Sequence, residues 1–465
     1  MSTSLNDKHF SKIHFIGILG SGMSAIAQFL NWKGYEVSGS DRQTDSSIDN
    51  PNKEKLEAMG CLIYPQNGEG IDESVQAVCV STAIEETNPD IQKARRLQIP
   101  VYHRSDILAS IVEKHQTIAV AGTSGKSTVT ALIFELLHLC KKSPSLISGA
   151  SLKRLEEQGY IGNAYKGDSD ILVIEADESD GTVVKYKPWI SVLLNISKDH
   201  KSIEEVTGLL RTLSRQSQFC IANQDDPIVN TLNPTLSFGL DSNAAFHPDT
   251  IEQHPFSSVV NCRGNDFHLS LPGMHNISNL LAALCLCFHL NCKAEELQKA
   301  TKEFKGVERR FSVTKTQSGI TVVDDFAHNP EKIKAAVSAA QNISDRLFVL
   351  YQPHGFGPTN FLKHDYAQMF KSALTDKDHL LLLPIYYAGG SAVMNIESND
   401  LIKLMEPIRF KASAPVDRES ALSYLHKHTK SGDCVLLMGA RDPSLAAYAK
   451  KITQLVNNKE SFNIV

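Results

Sequence analysis

Residues 118–140 read IAVAGTSGKSTVTALIFELLHLC, and this stretch decides the fold of the region around it. It begins with four apolar residues, Ile118 to Ala121, which predict a short buried strand. From Val129 to Cys140 apolar residues recur every three or four positions, as they do on the buried face of a helix. Between the two lies the segment 122–128, GTSGKST. A strand, a glycine loop and a helix in this order can cradle a phosphate group.

The segment 122–128, called the phosphate loop below, carries the groups that a nucleotide phosphate needs. Lys126 is expected to reach the outer phosphates, and the Ser127 hydroxyl is expected to bind Mg²⁺. The common pattern has a further glycine where this chain has Val120, so the loop is a shortened form. A chance Gly-Lys-Ser turn is the alternative, but the flanking strand and helix favour nucleotide binding. The candidate nucleotide-binding residues here are Gly122, Thr123, Ser124, Gly125, Lys126, Ser127 and Thr128.

The bulk properties limit the class of protein. A chain of 465 residues is too long for one ordinary core, so two to four domains are expected. A net charge of −5 gives no electrostatic case for nucleic acid or an anionic membrane, and no apolar run is long enough to span a bilayer. Nine cysteines without a CxxC pair argue against a disulfide scaffold or a zinc site. A reducing cytoplasm is the simplest compartment.

Residues 1–112 open with the pattern of a Rossmann-like domain. A strand at 12–16 is followed by GILGSGM at 17–23, by a helix, and by a second strand at 35–37 that leads to Asp41. Asp41 is placed to meet a ribose hydroxyl, so a nicotinamide dinucleotide is a rival ligand. The glycines, however, read GxxGxG rather than GxGxxG, and such a loop can bind any pyrophosphate, including that of a UDP-sugar. The candidate substrate-binding residues are Gly20, Ser21, Gly22, Met23 and Asp41.

Polar residues also follow the next two predicted strands, at 78–80 and 99–101. Ser81 ends the first, while His103 and Arg104 follow the second. Ligands of open α/β sheets bind outside the carboxyl ends of the strands, so these three residues are substrate-binding candidates. Helix capping or simple surface polarity explains them equally well.

Residues 113–312 add a second group of candidates around the phosphate loop. A predicted strand at 171–174 ends in EADESD, residues 175–180, and four carboxylates so close together are costly without a cation. Because a phosphate loop lies on a neighbouring strand, Mg²⁺ is favoured over a solvated acidic loop. A third strand at 189–194 leads to His200, another possible metal ligand.

The same segment ends in polar groups suited to a nucleotide base and its phosphates. His275, Asn276 and Asn279 precede an apolar helix, where they can bind a base edge or, in the case of Asn276 or Ser278, cap the helix. Arg310 can neutralise phosphate charge.

Residues 313–465 repeat the alternation of strand, polar tip and helix, which predicts a third α/β domain. The chain as a whole is therefore expected to be α/β, with three domains: a Rossmann-like domain at 1–112, a central P-loop ATPase domain with a mostly parallel sheet at 113–312, and a C-terminal Rossmann-like domain at 313–465. The tips of the third domain carry Asp325, His328, His354 and Arg441.

Taken in order, these motifs resemble the ATP-dependent Mur ligases of peptidoglycan synthesis over nearly the whole chain, most closely the alanine-adding branch. The resemblance rests on the following segments: GILGSGMSAIA at 17–27, SGSD at 38–41, STAI at 81–84, GTSGKST at 122–128, EADESD at 175–180, NISKDH at 195–200, PGMHNISN at 272–279, GVERRF at 306–311, DDFAHNP at 324–330, QPHGFGPT at 352–359 and GA at 439–440.

The resemblance implies an ADP-forming ligase of cell-wall biogenesis, which joins an amino acid to the carboxylate of UDP-N-acetylmuramate through an acyl phosphate. L-Alanine is the leading candidate for that amino acid. The first domain would hold the UDP-sugar, the second ATP and Mg²⁺, and the third the amino acid. Lys126, His200, Arg310 and His354 would be catalytic, while Ser127, Glu175 and His200 would bind metal. His275, Asn276, Asn279, Arg310 and Asp325 would contact ATP, and His328, His354 and Arg441 would lie near the incoming amino acid.

Several positions differ from the usual pattern of that branch. Ser124 replaces a histidine in GTHGKT, Phe326 and Asn329 replace residues of DDYAHHP, and Arg441 stands within the GAGD segment. The identity of the amino acid therefore stays open. The oligomeric state, monomer or homodimer, also stays open. A recycling-type ligase that adds a ready-made peptide to the same nucleotide sugar is one alternative. A divergent, non-catalytic nucleotide-binding module is another, and a nicotinamide oxidoreductase is the weakest.

Overall fold

The structure, a computed structural model, describes residues 10–45, 50–197, 201–387, 394–440 and 442–458. Within these residues the chain forms two compact units. The first extends to Thr250 and includes Val260–Phe267 and Ser278–Val307. The second consists of Ile251–Val259, His268–Ile277 and the residues from Glu308 onward.

The first unit begins with a five-stranded parallel sheet in the order β3-β2-β1-β4-β5. The order reverses between β2 and β4 around β1, and this is the position at which open α/β sheets bind ligands. The Rossmann-like prediction is therefore confirmed. Its elements are β1 (Lys12–Ile16), α1 (Ser21–Trp32), β2 (Glu36–Ser40), α2 (Pro51–Ala58), β3 (Leu62–Tyr64), β4 (Ala77–Val80), α3 (Pro89–Arg96), β5 (Val101–His103) and α4 (Arg104–Val112).

The second sheet of this unit has seven strands in the order β12-β11-β10-β6-β9-β7-β8, of which only the β7–β8 pair is antiparallel. The strand that leads into the phosphate loop, β6, lies at the centre between β10 and β9. The elements are β6 (Gln116–Ala121), α5 (Lys126–Leu139), β7 (Ser145–Ile147), α6 (Lys153–Glu157), β8 (Ala164–Tyr165), β9 (Ile171–Glu175), β10 (Ile190–Leu193), α7 (Ile203–Gln216), β11 (Phe219–Asn223) and β12 (Leu236–Phe238).

Three further strands form a small sheet in the order β13-β14-β15, and two helices follow them. Their bounds are β13 (Thr250–His254), β14 (Ser257–Cys262), β15 (Asn265–Leu269), α8 (Met274–His289) and α9 (Ala294–Glu303). Helix α8 starts earlier than its apolar run suggests. Asn276 and Ser278 therefore lie inside its first turns and do not cap it, because the Gly273 carbonyl already accepts the N–H groups of Asn276 and Ile277.

The second unit contains a six-stranded sheet in the order β16-β17-β21-β18-β19-β20, in which only β16 is antiparallel. Alternate residues of β18 enter two separate apolar clusters, so helices cover both faces of the sheet. The elements are β16 (Ser312–Lys315), β17 (Thr321–Asp325), α10 (Pro330–Gln341), β18 (Leu347–Gln352), α11 (Phe356–Phe361), α12 (Lys363–Ala373), β19 (His379–Leu382), α13 (Ser398–Met405), β20 (Lys411–Ser413), α14 (Arg418–His428), β21 (Cys434–Gly439) and α15 (Leu445–Asn457). Across the described ranges, no helix combines the length and apolar character needed to cross a bilayer.

Candidate active site

The phosphate loop is held open by backbone geometry and by one asparagine. Gly122 and Gly125 have φ angles of 142° and 86°, which favour glycine. Asn195, two residues beyond the end of β10, accepts the Ser124 N–H on its Oδ1 at 2.8 Å, and its Nδ2 donates to the Ser124 carbonyl at 3.0 Å. No side chain caps the start of α5 at Gly125. The loop thus presents the positive end of a helix, as an anion site requires.

Lys126 lies among the carboxylates that follow β9. Its Nζ donates to Glu178 Oε2 at 2.7 Å and to the Gly122 carbonyl at 2.8 Å, and Asp177 Oδ1 lies 3.8 Å away. Burial alone lowers the pKa of Lys126, but the carboxylates, Glu178 first, outweigh it and raise that pKa. Burial raises the pKa of Glu178, and the Lys126 ammonium opposes that rise. Lys126 therefore keeps its positive charge at neutral pH.

The candidate metal ligands Ser127 and Glu175 lie together. The Ser127 hydroxyl donates to Glu175 Oε1 at 2.9 Å, and Glu175 Oε2 accepts the Gly149 N–H at 3.1 Å. A hydroxyl and a carboxylate beside a phosphate-type loop are donors of the hard oxygen class that Mg²⁺ prefers, so these residues fit that ion. The third candidate, His200, lies outside the described residues. Among the described ones, no three His, Cys, Asp or Glu side chains form a metal-binding group.

Asn279 of α8 lies against the phosphate loop. A Cβ atom placed on Gly125 would be 2.5 Å from Asn279 Oδ1, so glycine is required there for steric as well as conformational reasons. The structure thereby brings a predicted ATP-contacting residue next to the loop. His275 and Asn276 belong to the second unit, where His275 lies within electrostatic reach of Asp325 and Asn276 Nδ2 donates to the Pro272 carbonyl at 2.8 Å.

The first glycine loop follows β1 and is fastened to the end of β2. Gly17 has a φ of 83° and its N–H donates to the Ser40 carbonyl at 2.7 Å. The Asp41 carboxylate accepts the N–H groups of Leu19 and Gln43, each at 3.0 Å. Asp41, predicted to contact substrate, therefore also organises the loop itself.

The remaining predicted residues of this loop surround the start of α1. Gly20 is the N-terminal cap of α1 and has no side chain to cap it, the Ser21 carbonyl accepts Asn163 Nδ2 at 2.7 Å, and Met23 is buried. Gly22 is covered by an arginine from α4, because its missing Cβ would lie 2.8 Å from Arg104 Nη1.

Arg104 joins this loop to the acidic segment after β9. Its Nη2 donates to Asp180 Oδ2 at 3.0 Å, and the Asp180 side chain is only 8% exposed. Arg104 is therefore held over Gly22 by a carboxylate that belongs to the neighbouring sheet of the same unit. Position alone predicts Arg104, whereas its partner Asp180 is one of several acidic residues that the sequence does not distinguish.

His103 and Ser81 have local roles. His103 caps α4 by accepting the Ser105 N–H, while Asp106 reaches back to the His103 N–H at 3.1 Å. Ser81 lies in the turn after β4, where its carbonyl accepts the Ile84 N–H at 3.1 Å. For His103 the capping alternative is realised, and substrate contact stays a prediction for both residues.

In the second unit, Asp325 is the last residue of β17, and Arg310 lies two residues before β16. The two oxygens of Asp325 accept the N–H groups of Phe311 and Ala327, each at 2.7 Å. The Arg310 guanidinium lies 4.8 Å from the centre of the Phe326 ring. The adjacent arginine, Arg309, is not among the residues predicted from the sequence, and it is buried.

Arg309 is a structural tie that its place in the GVERRF segment does not reveal. Its Nε donates to Asp324 Oδ1 at 3.2 Å and its Nη2 to the Gly439 carbonyl at 2.7 Å. Burial raises the pKa of Asp324 to about 6, and Arg309 opposes that rise. The pair connects β17 to the end of β21.

His328 and His354 face each other at the carboxyl ends of β17 and β18. Their ring centres are 5.1 Å apart and the rings are nearly perpendicular. The hydroxyls of Tyr351 and Tyr366 donate to the His328 carbonyl at 3.1 and 2.7 Å, which fixes the backbone of that residue. The structure thus brings together two of the three residues predicted near the amino acid. The third, Arg441, lies outside the described residues.

Parallel α/β sheets with a phosphate loop at a strand end define a protein of the P-loop-type, nucleotide-binding α/β class. Three family descriptions match successive parts of the chain: "Mur ligase family, catalytic domain" at residues 12–116, "Mur ligase middle domain" at 120–287 and "Mur ligase, glutamate ligase domain" at 309–441. The chain belongs to the Mur ligase family, as its motifs predict.

Individual relatives agree with this assignment. The chain is 33% identical over 460 residues to a UDP-N-acetylmuramate–L-alanine ligase of Synechococcus sp. (strain CC9902), covering 92% of this chain and 95% of that protein. Its fold is similar to that of the UDP-N-acetylmuramate–alanine ligase of Thermotoga maritima, with a TM-score of 0.78, 24% identity and coverage of 95% and 98%. A murein peptide ligase of Psychrobacter arcticus 273-4 has a TM-score of 0.69, 20% identity and coverage of 97% and 99%.

Proposed function

We propose that this protein is an ATP-dependent ligase that forms an amide between an amino acid and the carboxylate of UDP-N-acetylmuramate. L-Alanine is the leading candidate for the amino acid. The observation that carries the proposal is the convergence of Lys126 and Ser127 with Glu178 and Glu175 at the phosphate loop. The name of the Synechococcus relative supports the choice of substrates.

Each of the three predicted domains would bind one ligand. Residues 1–112 would bind the UDP-sugar at the first glycine loop, beneath Arg104. Residues 113–312 would bind ATP at the phosphate loop, with Asn279 beside it. Residues 313–465 would bind the amino acid near His328 and His354. We expect the protein to be a monomer or a homodimer and to act in the cytoplasm.

Lys126 has the charge and position for a catalytic role. When a carboxylate attacks the terminal phosphate of ATP, negative charge accumulates on the transferred group, and a fixed ammonium stabilises it. Glu178 and Asp177 hold that ammonium near the loop, so little reorganisation is needed when phosphate takes their place. A preorganised group of this kind is worth roughly 10²–10³ in rate.

Ser127 and Glu175 would hold Mg²⁺, with His200 as a further ligand. When bound, Mg²⁺ neutralises phosphate charge and acts as a Lewis acid. Glu175 is oriented for this by the Gly149 N–H and by the Ser148 hydroxyl at 3.3 Å, so its carboxylate keeps one position.

The test is phosphate release from ATP with Mg²⁺, UDP-N-acetylmuramate and a panel of amino acids that includes L-alanine. We expect release that depends on the nucleotide sugar and is largest with L-alanine. A tripeptide added in competition separates the recycling-type alternative, which predicts release with the peptide alone. Silence with every amino acid and with the peptide would rule out this acceptor.

Lys126→Ala provides the matching variant. If the chain is an enzyme, this change reduces phosphate release by ~10²-fold or more. If the chain is a non-catalytic nucleotide-binding module, the wild type shows no release and the variant changes only nucleotide binding. Lys187→Ala is the control, because Lys187 is 63% exposed and forms only a surface ion pair with Glu113 at 3.4 Å.

A further inference from the structure

One buried asparagine connects the two candidate binding loops of the first unit. Asn163 directly precedes β8 and is 2% exposed. Its side-chain nitrogen, Nδ2, donates to the Ser21 carbonyl at 2.7 Å and to Ser24 Oγ at 2.9 Å, both in the first turn of α1. Its backbone carbonyl accepts the N–H of Ser148, the residue after β7, at 2.8 Å. Asn163 therefore contacts α1 with its side chain and the end of β7 with its backbone.

The hydrogen bonds around the Asn163 amide determine its orientation. A carbonyl oxygen accepts hydrogen bonds and cannot donate them, so the atom that faces the Ser21 carbonyl must be the nitrogen. On the other side, Gln28 Nε2 donates to Asn163 Oδ1 at 2.8 Å and to the Ser24 carbonyl at 3.0 Å. Gln28 and Ser24 are completely buried, so a bond lost here leaves a polar group without water. Position 163 therefore requires both a donor and an acceptor.

The second half of the connection ends at a candidate Mg²⁺ ligand. The Ser148 hydroxyl donates to Glu175 Oε2 at 3.3 Å, and the Gly149 N–H donates to the same oxygen at 3.1 Å. The other oxygen, Glu175 Oε1, accepts the Ser127 hydroxyl of the phosphate loop at 2.9 Å. A series of hydrogen bonds through Asn163, Ser148 and Glu175 thus joins the start of α1 to the phosphate loop.

We propose that Asn163 is a positioning residue that fixes the loop for the nucleotide sugar relative to the carboxylate for Mg²⁺. This role rests on the proposed function, in which the UDP-sugar binds at the start of α1 and Mg²⁺ binds at Glu175. The carboxylate of the sugar must attack the terminal phosphate of ATP, so the two substrates have to be held at a fixed separation. A misplacement of about 1 Å in such a reaction lowers the rate by roughly 10²-fold.

The Asn163 side chain acts on the end of α1 that would bind the pyrophosphate. The first N–H groups of a helix have no partner within the helix, and Gly20, the N-terminal cap, has no side chain to accept them. They are therefore donors for an anion, and their direction depends on the first turn, which Asn163 holds through the Ser21 carbonyl. The bond to Ser148 is made by the backbone, so it survives a change of the Asn163 side chain. Such a change should therefore affect the nucleotide sugar more than ATP.

The experiment measures phosphate release by full-length Asn163→Asp and Asn163→Ala, with UDP-N-acetylmuramate and ATP varied separately. Asp has the shape of Asn but, when ionised, has no donor for the Ser21 carbonyl, and Ala removes the whole amide. Both variants should lower kcat/KM for the nucleotide sugar by roughly 10²-fold, through a higher KM and a lower kcat. The Kd for ATP with Mg²⁺, measured by titration without the sugar, should stay at the wild-type value.

Ile161→Val is the matched control. It lies two residues from Asn163 and removes one buried methyl group without removing a hydrogen-bonding group, so it should keep the wild-type kinetic constants. If neither variant of Asn163 folds, Ser24→Ala tests the same contact with a smaller change. It removes one acceptor of Asn163 Nδ2 and the bond from Ser24 Oγ to the Ser21 carbonyl, so KM for the sugar should still rise.

The outcomes separate this role from the proposed function. Phosphate release by the wild type with unchanged kinetics in both Asn163 variants would overturn the role of Asn163 alone. Weaker binding of ATP and of the sugar by the same factor would also overturn it, because Asn163 would then only support the fold. For Ser24→Ala, an unchanged KM for the sugar is the contrary result. No release by the wild type would overturn the proposed function, and the role of Asn163 with it.

Discussion

Single side chains in this protein depend on partners that lie far away in the chain. Lys126 is held by Glu178, Arg104 by Asp180, and Arg309 by Asp324. Each pair is largely shielded from water, so removing one member leaves a poorly solvated charge. The first two pairs hold candidate site residues, so their variants should change activity. The third pair supports the fold, so its variants should change stability.

We expect Asp180→Asn to weaken binding of the nucleotide sugar with little effect on turnover. Without the carboxylate charge, Arg104 is no longer held over Gly22, while the bond from the Thr182 N–H to Asp180 Oδ1 can be kept by the amide oxygen. A tenfold rise in KM for UDP-N-acetylmuramate corresponds to about 1.4 kcal/mol. Steady-state kinetics test this, with Glu204→Gln at an exposed position as control. An unchanged KM would show that Arg104 does not depend on Asp180.

Buried histidines predict acid sensitivity of the fold. His14 is completely buried, its Nδ1 pairs with Ser38 Oγ at 2.9 Å, and burial lowers its pKa to about 3. In the unfolded chain this histidine binds a proton as the pH falls below about 6.5, whereas in the folded chain it stays neutral down to about pH 3. The stability that depends on neutral His14 is therefore fully present above about pH 6.5 and is lost as the pH falls towards about 3.

His14→Gln should reduce this loss. The titration of His14 alone lowers the free energy of unfolding by about 3 kcal/mol between about pH 6.5 and 4. The free energy of unfolding against pH is the measurement. His254→Gln, at an exposed position, is the control and should keep the wild-type slope. Equal slopes for the wild type and His14→Gln would show that another group titrates in this range.

At the level of elements, the start of α5 is the best-defined part of the candidate site. The preceding strand β6 is central and fully paired, so the loop leaves a rigid edge. Asn195, from the end of β10, and Asn279, from α8, then fix the loop from two sides. The phosphate loop is therefore prepared for an anion before any ligand binds.

Two glycine-to-alanine changes test this interpretation. Gly125→Ala should destabilise the loop by ~1–2 kcal/mol from its left-handed φ, in addition to a clash with Asn279, and should weaken ATP binding. Gly208→Ala lies in α7 with open space around it, so it should stabilise the protein by ~0.5–1 kcal/mol. Thermal unfolding and ATP titration measure both variants. Normal ATP binding by Gly125→Ala would contradict the close approach seen at the loop.

For the whole molecule, candidate residues in both units lie at the carboxyl ends of parallel strands. The phosphate loop follows β6, the first glycine loop follows β1, and His354 follows β18. This placement matches the general behaviour of open α/β sheets. It also implies that ligands stabilise the folded chain, since the sites exist only when the sheets are formed.

We therefore expect ATP with Mg²⁺ to raise the thermal midpoint. Saturation at ~100 times Kd corresponds to about 2.7 kcal/mol of added stability. Removing Mg²⁺ with EDTA should reduce the shift, and Lys126→Ala should remove most of it. Thermal denaturation with and without each component is the measurement. A shift of the same size with EDTA would argue against Mg²⁺ at Ser127 and Glu175.

Much of this architecture can be predicted from local pattern. The strands at 12–16, 118–121 and 171–174 and the helix after the phosphate loop are confirmed, because short apolar runs and three-to-four spacing reflect burial directly. The start of α8 is not predicted, because polar residues in the first turn of a helix resemble a preceding loop. Only the structure shows that the Gly273 carbonyl accepts the N–H groups of Asn276 and Ile277, which places both residues inside the helix.

The sequence by itself determined the α/β class, the two glycine loops and the family, because these depend on residues that are neighbours in the chain. Only the tertiary structure decided which carboxylate holds Lys126 and which arginine of the Arg309–Arg310 pair is buried. Those choices depend on strand order, which brings together side chains such as Lys126 and Glu178 from segments that follow different strands. Motif spacing depends only on the order of residues along the chain, whereas the pairing of buried charges depends on packing and desolvation in the folded protein.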